Sequence, residues 1–213
     1  MQMEHVPLDT CHGRRTSERP QSGRVSHRGS PILLVVDVQK IFLEQTDWWI
    51  PSLAGCLIKI RDLAVAFGER AIFSRYLLDP GGSGTWQTFY RQWQHLDANN
   101  LNWELVDGLR EPGSLEILKG TYSCFGSRTF CEAMDHLRPS RLVICGVETD
   151  CCVLATVLDA VDRGIHVTVV EDAVASPHHT AHAGAIALFQ RLSVQVRCSS
   201  TSEVLATLGV SPR

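Results

Sequence analysis

Residues 141–164, with the sequence RLVICGVETDCCVLATVLDAVDRG, constrain the fold more than any other stretch of the chain. The apolar run 142–145 is typical of a fully buried strand, and Gly146 ends it. From Asp150, apolar residues recur every three or four positions, which predicts an amphipathic helix that ends at Gly164. A buried strand that leads directly into a helix indicates an α/β domain.

The same alternation of apolar runs and amphipathic segments continues along the rest of the chain. Buried strands are predicted at 32–36, 71–73, 115–118, 142–145, 167–170 and 194–196, and helices at 52–67, 127–137, 150–164, 180–192 and 202–208. Residues 77–102 form a long insertion in which Trp86, Tyr90 and Trp93 have helical spacing, so we expect one aromatic stripe. The alternation predicts a single doubly wound α/β domain with a mainly parallel sheet over residues 30–213.

Net charge and cysteine usage narrow the class of protein. The net charge of −3 gives no basic field for nucleic acid or a membrane surface, and no apolar run approaches the roughly 20 residues of a membrane helix. The eight cysteines show no short-spaced zinc framework, and a chain of 213 residues can bury a core without disulfides. We therefore expect a cytoplasmic protein with reduced thiols. Residues 1–29 lack hydrophobic periodicity and are predicted to be a disordered leader.

Three side chains suited to nucleophilic catalysis follow three of the predicted strands. Asp37 follows the first strand, Lys119 the third, and Cys152 lies in the first turn of the helix after the fourth. The carboxyl ends of parallel strands share one edge of a sheet, so these side chains can converge. A thiolate attacks a carbonyl, a carboxylate shuttles its proton, and an ammonium group stabilises the ionised pair. The dipole and unpaired N–H groups of a helix start are expected to lower the pKa of the thiol.

Each of these residues also has a plainer structural interpretation. Adjacent cysteines such as Cys151 and Cys152 are often inert, buried core residues. Asp37 can be a helix cap or a structural acceptor, and a single Lys such as Lys119 is usually a solvated surface charge. The position of Lys119 directly after an apolar strand favours the catalytic interpretation.

Three segments of the chain resemble, in order, the motifs of the isochorismatase-like cysteine hydrolases, which include nicotinamidases, N-carbamoylsarcosine amidases and ureidoacrylate amidohydrolases. LLVVDVQKIF is similar to the family's strand-Asp-x-Gln segment, LKGTYSCF to its Lys followed by aromatic-Ser-x-Phe, and GVETDCCV to its Gly-x-x-Thr-Asp-x-Cys-Val. The resemblance extends from residue 31 to the C-terminus. It implies a three-layer αβα fold with a six-stranded, mainly parallel, doubly wound sheet, and assembly as a homodimer or homotetramer.

The resemblance also implies roles for individual residues. Asp37 would be the proton shuttle, Lys119 the second member of the triad, and Cys152, rather than Cys151, the nucleophile. A cis peptide between Val147 and Glu148 would turn the Glu148 N–H toward the site, where it forms an oxyanion hole with the Cys152 N–H. The implied activity is hydrolysis of a small amide or ureido C–N bond through a thioester, with no cofactor.

One departure from the family bears on metal binding. Metal-binding nicotinamidases carry an Asp-x-His-x-x-His segment after the second strand, whereas residues 74–79 here read SRYLLD, with no histidine. Further along, His178 and His182 have the i,i+4 spacing of zinc ligands, beside His179. No second cluster of ligands accompanies them, and Ser176-Pro177-His178 is typical of a helix entry. We therefore expect no metal.

The sequence specifies the substrate pocket less closely than it specifies the catalytic residues. Its walls are expected to come from Phe42, Trp48, Arg75, Trp86, Tyr90 and Tyr122. Arg75 would bind a substrate carboxylate or ureido oxygen, or it would belong to a structural ion pair. Aromatic walls with one arginine favour a small, partly planar amide or ureido acid. The alternative function is a non-catalytic or thiol-sensing binding protein on the same scaffold.

Overall fold

The computed structural model describes residues 27–79, 81–98 and 103–210. Strands and helices alternate along these residues, joined in places by short 3₁₀ turns. The elements in chain order are β1 (Ile32–Val36), α1 (Lys40–Leu43), α2 (Leu53–Phe67), β2 (Ala71–Tyr76), α3 (Thr85–Trp93), β3 (Leu115–Lys119), α4 (Arg128–Leu137), β4 (Leu142–Val147), α5 (Leu154–Asp162), β5 (Val167–Ala175), α6 (His179–Arg191), β6 (Val196–Ser199) and α7 (Thr201–Thr207).

The strands form one sheet whose order sets the position of the site. Within the described residues this sheet has six strands in the order β3-β2-β1-β4-β5-β6, and every neighbouring pair is parallel. The chain progresses outward from β1 toward one edge and then from β4 toward the other. Ligand sites of such sheets lie outside the carboxyl ends of the strands at this reversal. The predicted α/β fold is confirmed.

Helices cover both faces of the sheet because its strands are apolar on both sides. The five residues of β1 are all buried, and they alternate between two hydrophobic clusters. Helices α2 and α7 pack on the face of Leu33 and Val35, and helices α4, α5 and α6 pack on the face of Leu34 and Val36. Central strands buried on both sides explain the continuous apolar runs in the sequence.

The predicted strand positions differ from the structure mainly at one edge of the sheet. β6 begins at Val196 rather than at 194, and Val194 is 89% exposed. β5 continues to Ala175, past the predicted end at 170, and its register against β4 shifts between Ile144 and Gly146. β6 is an edge strand with a single neighbour, so its apolar pattern is weaker and its start is harder to predict, whereas the continuation of β5 accompanies the register shift against β4.

The N-terminal segment of the sequence lies largely outside the described residues. Of the predicted leader, 1–29, the structure describes only 27–29. There the Gly29 N–H donates to the Leu137 carbonyl at 2.9 Å, so this end of the segment contacts the domain. None of the helices in the described part of the chain has the length and apolarity needed to cross a bilayer.

Gly146 is a point of close approach between β4 and β1. It pairs with Val36, one residue before Asp37, and has a φ of 110°. A Cβ built there would lie 2.1 Å from the Val36 carbonyl oxygen. Only glycine therefore fits at this position, which brings the ends of the two central strands together.

The variant Gly146→Ala should lower the free energy of unfolding by about 3 kcal/mol or more, because it combines backbone overlap with a positive φ. The matched control is Gly184→Ala in α6, where an added Cβ meets nothing within 4 Å. That variant should be neutral or stabilising by up to about 1 kcal/mol. Urea unfolding followed by circular dichroism measures both, and equal stability of the two variants would show that the close approach relaxes without cost.

Candidate active site

Asp37 lies at the carboxyl end of β1 and is fully buried. Its φ is 50°, a left-handed conformation that Asp tolerates better than most residues. Ser74, two residues before the end of β2, holds it in place: the Ser74 hydroxyl donates to Asp37 Oδ1 at 2.6 Å, and the Asp37 N–H donates to the Ser74 carbonyl at 3.2 Å. The second carboxylate oxygen, Oδ2, faces Lys119.

Lys119 ends β3, which β2 separates from β1, and its long side chain crosses the end of β2 to reach Asp37. Its Nζ lies 2.6 Å from Asp37 Oδ2, 3.3 Å from Cys152 Sγ and 3.0 Å from the Thr121 carbonyl oxygen. Burial opposes the charge, but the neighbouring Asp37 and Cys152 raise the pKa of Lys119 above its ordinary value. Lys119 is therefore a buried cation whose partners are an acid and a thiol.

Cys152 is buried, with 7% of its surface exposed, in a single π-helical turn (Thr149–Val153) between β4 and α5. The peptide bond between Val147 and Glu148 just before this turn is cis. The Glu148 carbonyl accepts the N–H groups of Cys151 at 3.1 Å and Val153 at 3.0 Å. These backbone contacts direct the chain from the strand into the helix and place Cys152 beside Lys119.

The prediction of an acidic Cys152 thiol is wrong for the free protein. Burial raises the pKa of Cys152 well above the ordinary value; Lys119 opposes this effect and Asp37 adds to it. Burial away from water disfavours the charged thiolate by more than the helix start and the Lys119 ammonium group stabilise it. The site of the free protein therefore holds a protonated thiol beside the Asp37–Lys119 pair, an arrangement suited to proton transfer from sulfur to oxygen during attack.

Alkylation of Cys152 by iodoacetamide should accordingly be slow at pH 7 and still be rising with pH at pH 9. Asp37→Asn removes an anion that raises the pKa of Cys152, so alkylation at pH 8 should become faster, whereas Lys119→Met should slow it. A change of about tenfold corresponds to one pKa unit. Peptide mass spectrometry measures the rates, with Asp135→Asn as a charge-matched control. The rates are compared only where circular dichroism shows that the variants are folded, and shifts of the same sign in both folded variants would contradict this account.

A cavity of about 240 Å³ opens above Cys152. Of the residues predicted to form the pocket, Phe42, Trp48 and Tyr122 line it, and Glu148 and Cys152 also lie on its wall. The other lining residues are Asp47, Tyr76, Phe89, Trp93, Cys151, Pro177 and His178. The structure thus brings the candidate nucleophile and half of the predicted pocket together.

Arg75, Trp86 and Tyr90 are not among the lining residues of this cavity. Arg75 forms ion pairs with Glu104 at 2.8 Å and Glu116 at 2.6 Å, which is the structural alternative left open by the sequence. Trp86 packs between Tyr90 and Tyr122, with a ring separation of 4.8 Å to Tyr122, and the Tyr90 hydroxyl donates to the Gly120 carbonyl. Trp86 and Tyr90 therefore pack behind the aromatic side chains that line the cavity.

Sequence reasoning missed several residues that shape the cavity. Phe89 was not among the predicted pocket residues, and Trp93 was predicted only as part of the aromatic stripe; the two are four residues apart on α3, and this spacing was the available signal for the side of the helix that faces the cavity. Gln39 is a further positioning residue: its side chain accepts from the Tyr76 N–H at 2.8 Å and donates to the carbonyls of Tyr76 at 2.9 Å and Trp103 at 2.8 Å. It ties the loop at Trp103 to the end of β2.

The histidines that have the spacing of zinc ligands form other contacts. His182 Nδ1 lies 2.9 Å from the Thr149 hydroxyl, at the start of the π-helical turn, and His178 lines the cavity. Among the residues that the structure describes, no group of three or more His, Cys, Asp or Glu side chains is arranged to hold a metal ion.

Solved structures of similar fold include hydrolases. A cysteine hydrolase from Pseudomonas syringae pv. phaseolicola 1448A has a TM-score of 0.74 at 21% identity, covering 91% of this chain and 99% of that one. The nicotinamidase of Bacillus subtilis has a TM-score of 0.68 at 20% identity, covering 80% of this chain and 99% of that one. At such identities the likeness shows the shared fold.

Two curated relatives match shorter segments. Isochorismatase domain-containing protein 2B of Mus musculus is 42% identical over 64 residues, which are 30% of this chain and 29% of that protein. An Arabidopsis thaliana protein named as a probable inactive nicotinamidase is 35% identical over 95 residues, 43% of this chain and 48% of that protein. The chain thus spans less than half the length of each. The family model of the isochorismatase domain, in contrast, matches residues 31–201, and the chain therefore belongs to the isochorismatase family.

Proposed function

We propose that this protein is a cysteine-dependent hydrolase of a small amide or N-carbamoyl C–N bond. One observation carries the proposal: the buried Lys119 ammonium group contacts both the Asp37 carboxylate, at 2.6 Å, and the Cys152 sulfur, at 3.3 Å, at the base of an open cavity. Burial of a cation among hydrophobic residues destabilises a core, whereas a cation in contact with both an acid and a thiol can activate the thiol as a nucleophile. Membership of a hydrolase family supports the same conclusion.

The first half of the reaction forms a thioester. Asp37 takes the proton of the Cys152 thiol as the sulfur attacks the carbonyl carbon, and the carbonyl oxygen becomes an oxyanion that the N–H groups of Glu148 and Cys152 stabilise. The C–N bond then breaks, and Asp37 returns the proton to the leaving nitrogen. Lys119 stabilises the charges that Asp37 and Cys152 carry along this path.

The second half removes the acyl group. A water molecule gives a proton to Asp37 while its oxygen attacks the thioester carbon, and breakage of the C–S bond returns the proton to the sulfur. The products are an amine or ammonia and a carboxylic acid, or a carbamic acid when the substrate is a ureido compound. The reaction needs no cofactor.

The test is to trap the acyl-enzyme. The protein is incubated with a panel of small amides and N-carbamoyl compounds, quenched in acid and analysed by peptide mass spectrometry, while ammonia release is measured in parallel. We expect the mass of the acyl group on the peptide that contains Cys152, together with ammonia. The Cys152→Ala variant cannot form this adduct, so ammonia release by that variant would contradict the thioester route.

A non-catalytic binding protein is the second candidate, because the Arabidopsis thaliana relative is named as inactive. The thiol-sensing form of this alternative has less support, since burial raises the pKa of the neighbouring Cys151 to about 12 and keeps that thiol protonated. Binding of amides with neither adduct nor ammonia would favour this candidate over the hydrolase.

A further inference from the structure

The charges that face the cavity are mainly negative. Asp47 and Glu148 both line it, and within the described part of the chain none of its lining residues is Lys or Arg. The ammonium group of Lys119, beneath the cavity, is held by Asp37. Arg75, the cation that the sequence suggested for a substrate carboxylate, is committed to Glu104 and Glu116. A carboxylate entering this cavity would therefore lose its water without gaining a cation.

The environment of the Glu148 side chain shifts its pKa. Burial raises its pKa, the negative charge of Asp150 adds to this effect, and Cys151 and His178 oppose it. The carboxylate oxygen Oδ1 of Asp150 is buried, and among the described residues no group forms a hydrogen bond with it. A positive group in the cavity would stabilise the carboxylate of Glu148, which lines it.

Asp47 marks the open side of the same cavity. Its side chain is 61% exposed, and its carboxylate lies 2.7 Å from Nε2 of His95. Asp47 and Glu148 thus provide one carboxylate near solvent and one more deeply buried. The titratable groups that accompany them at the cavity are His178, Cys151, Cys152, Tyr76 and Tyr122.

Aromatic rings form the remaining walls. Trp48 is at their centre: its ring stacks on Phe42 at 5.7 Å and lies 6.1 Å from Phe89 and 5.6 Å from Trp93. All four rings line the cavity. Clustered aromatic rings next to carboxylates attract cations through their π systems, most strongly when the cation is an alkylammonium group that gives up its water easily.

From these contacts we infer that the substrate carries a positive charge beside its scissile amide, as an ammonium or quaternary ammonium group held between the aromatic rings and the carboxylates of Asp47 and Glu148. This inference rests on the proposed hydrolase function and names its substrate class. It replaces the ureido acid expected from the sequence, because the arginine on which that expectation depended does not line the cavity.

The experiment separates recognition from catalysis by measuring binding to the Cys152→Ala variant by calorimetry. Three amides of similar size serve as probes: trimethylammonioacetamide, which is a cation, its neutral isostere 3,3-dimethylbutanamide, and malonamic acid, which is an anion. We expect the cation to bind at least tenfold more tightly than the neutral amide, and the anion to bind most weakly. Asp47→Asn and Glu148→Gln should each reduce the preference for the cation, measured as the ratio of its affinity to that of the neutral amide, by about threefold or more.

The matched control is Asp135→Asn, which makes the same charge change on α4 beside Arg138 and Gly164, away from the cavity. It should leave all three affinities unchanged. Equal binding of the cation and its isostere, or tighter binding of the anion, would overturn the inference while leaving the hydrolase proposal intact. A cation preference without ammonia release by the wild-type protein on any amide would instead overturn the hydrolase proposal and leave the binding preference standing.

Discussion

Replacing Cys152 with alanine is expected to lower kcat/KM for amide hydrolysis by at least about 10³-fold, because it removes the atom that forms the thioester. The free energy of unfolding should change by only about 1 kcal/mol, since the side chain is small and Lys119 keeps its contacts with Asp37 and Thr121. Ammonia release and urea unfolding measure the two quantities. Loss of activity together with loss of structure would leave the catalytic role without support.

The matched control for this prediction is Cys151→Ala. Cys151 lines the same cavity, but the ammonium group of Lys119 contacts the sulfur of Cys152. We therefore expect kcat/KM to change by no more than about threefold in this variant. If Cys151→Ala were inactive and Cys152→Ala active, the nucleophile would be Cys151 and the mechanism proposed above would be wrong.

The second large effect concerns the buried ion pair. Lys119→Met leaves the Asp37 carboxylate without its counter-charge in a site where both side chains are fully buried. Breaking a buried pair by removing one partner costs about 3–5 kcal/mol, so both Lys119→Met and Asp37→Asn should be strongly destabilised and inactive. In the double variant no charge is left unpaired, so its loss of stability should be smaller than the sum of the single losses by about 2 kcal/mol or more.

A second Lys–Asp pair on this protein provides the control. Lys40 Nζ lies 2.9 Å from Asp107 Oδ1, but the Asp107 side chain is 89% exposed. Lys40→Met should change the free energy of unfolding by less than about 1 kcal/mol, because solvent screens this pair. Additive effects of Lys119→Met and Asp37→Asn, measured by urea unfolding, would show that the two buried groups are not energetically coupled.

The sequence by itself determined the class of fold and the order of the candidate catalytic groups. Continuous apolar runs such as 142–145 belong to strands that are buried on both faces, and the helical pattern after Asp150 belongs to a crossover between parallel strands. These signals are local, so one sequence carries them. Because parallel strands end at a common edge, the order along the chain also indicated that Asp37, Lys119 and Cys152 meet.

Only the tertiary structure decided what surrounds these groups. The acidity of Cys152 depends on how far it is removed from water and on Lys119, a residue 33 positions away in the chain, and neither is visible in the local pattern that suggested a low pKa. Arg75 likewise lies at a strand end, but Glu104 and Glu116 take up its charge. Burial and pairing of charges arise from contacts between distant segments, and for that reason the sign of a pKa shift and the charge of a cavity follow from the folded chain.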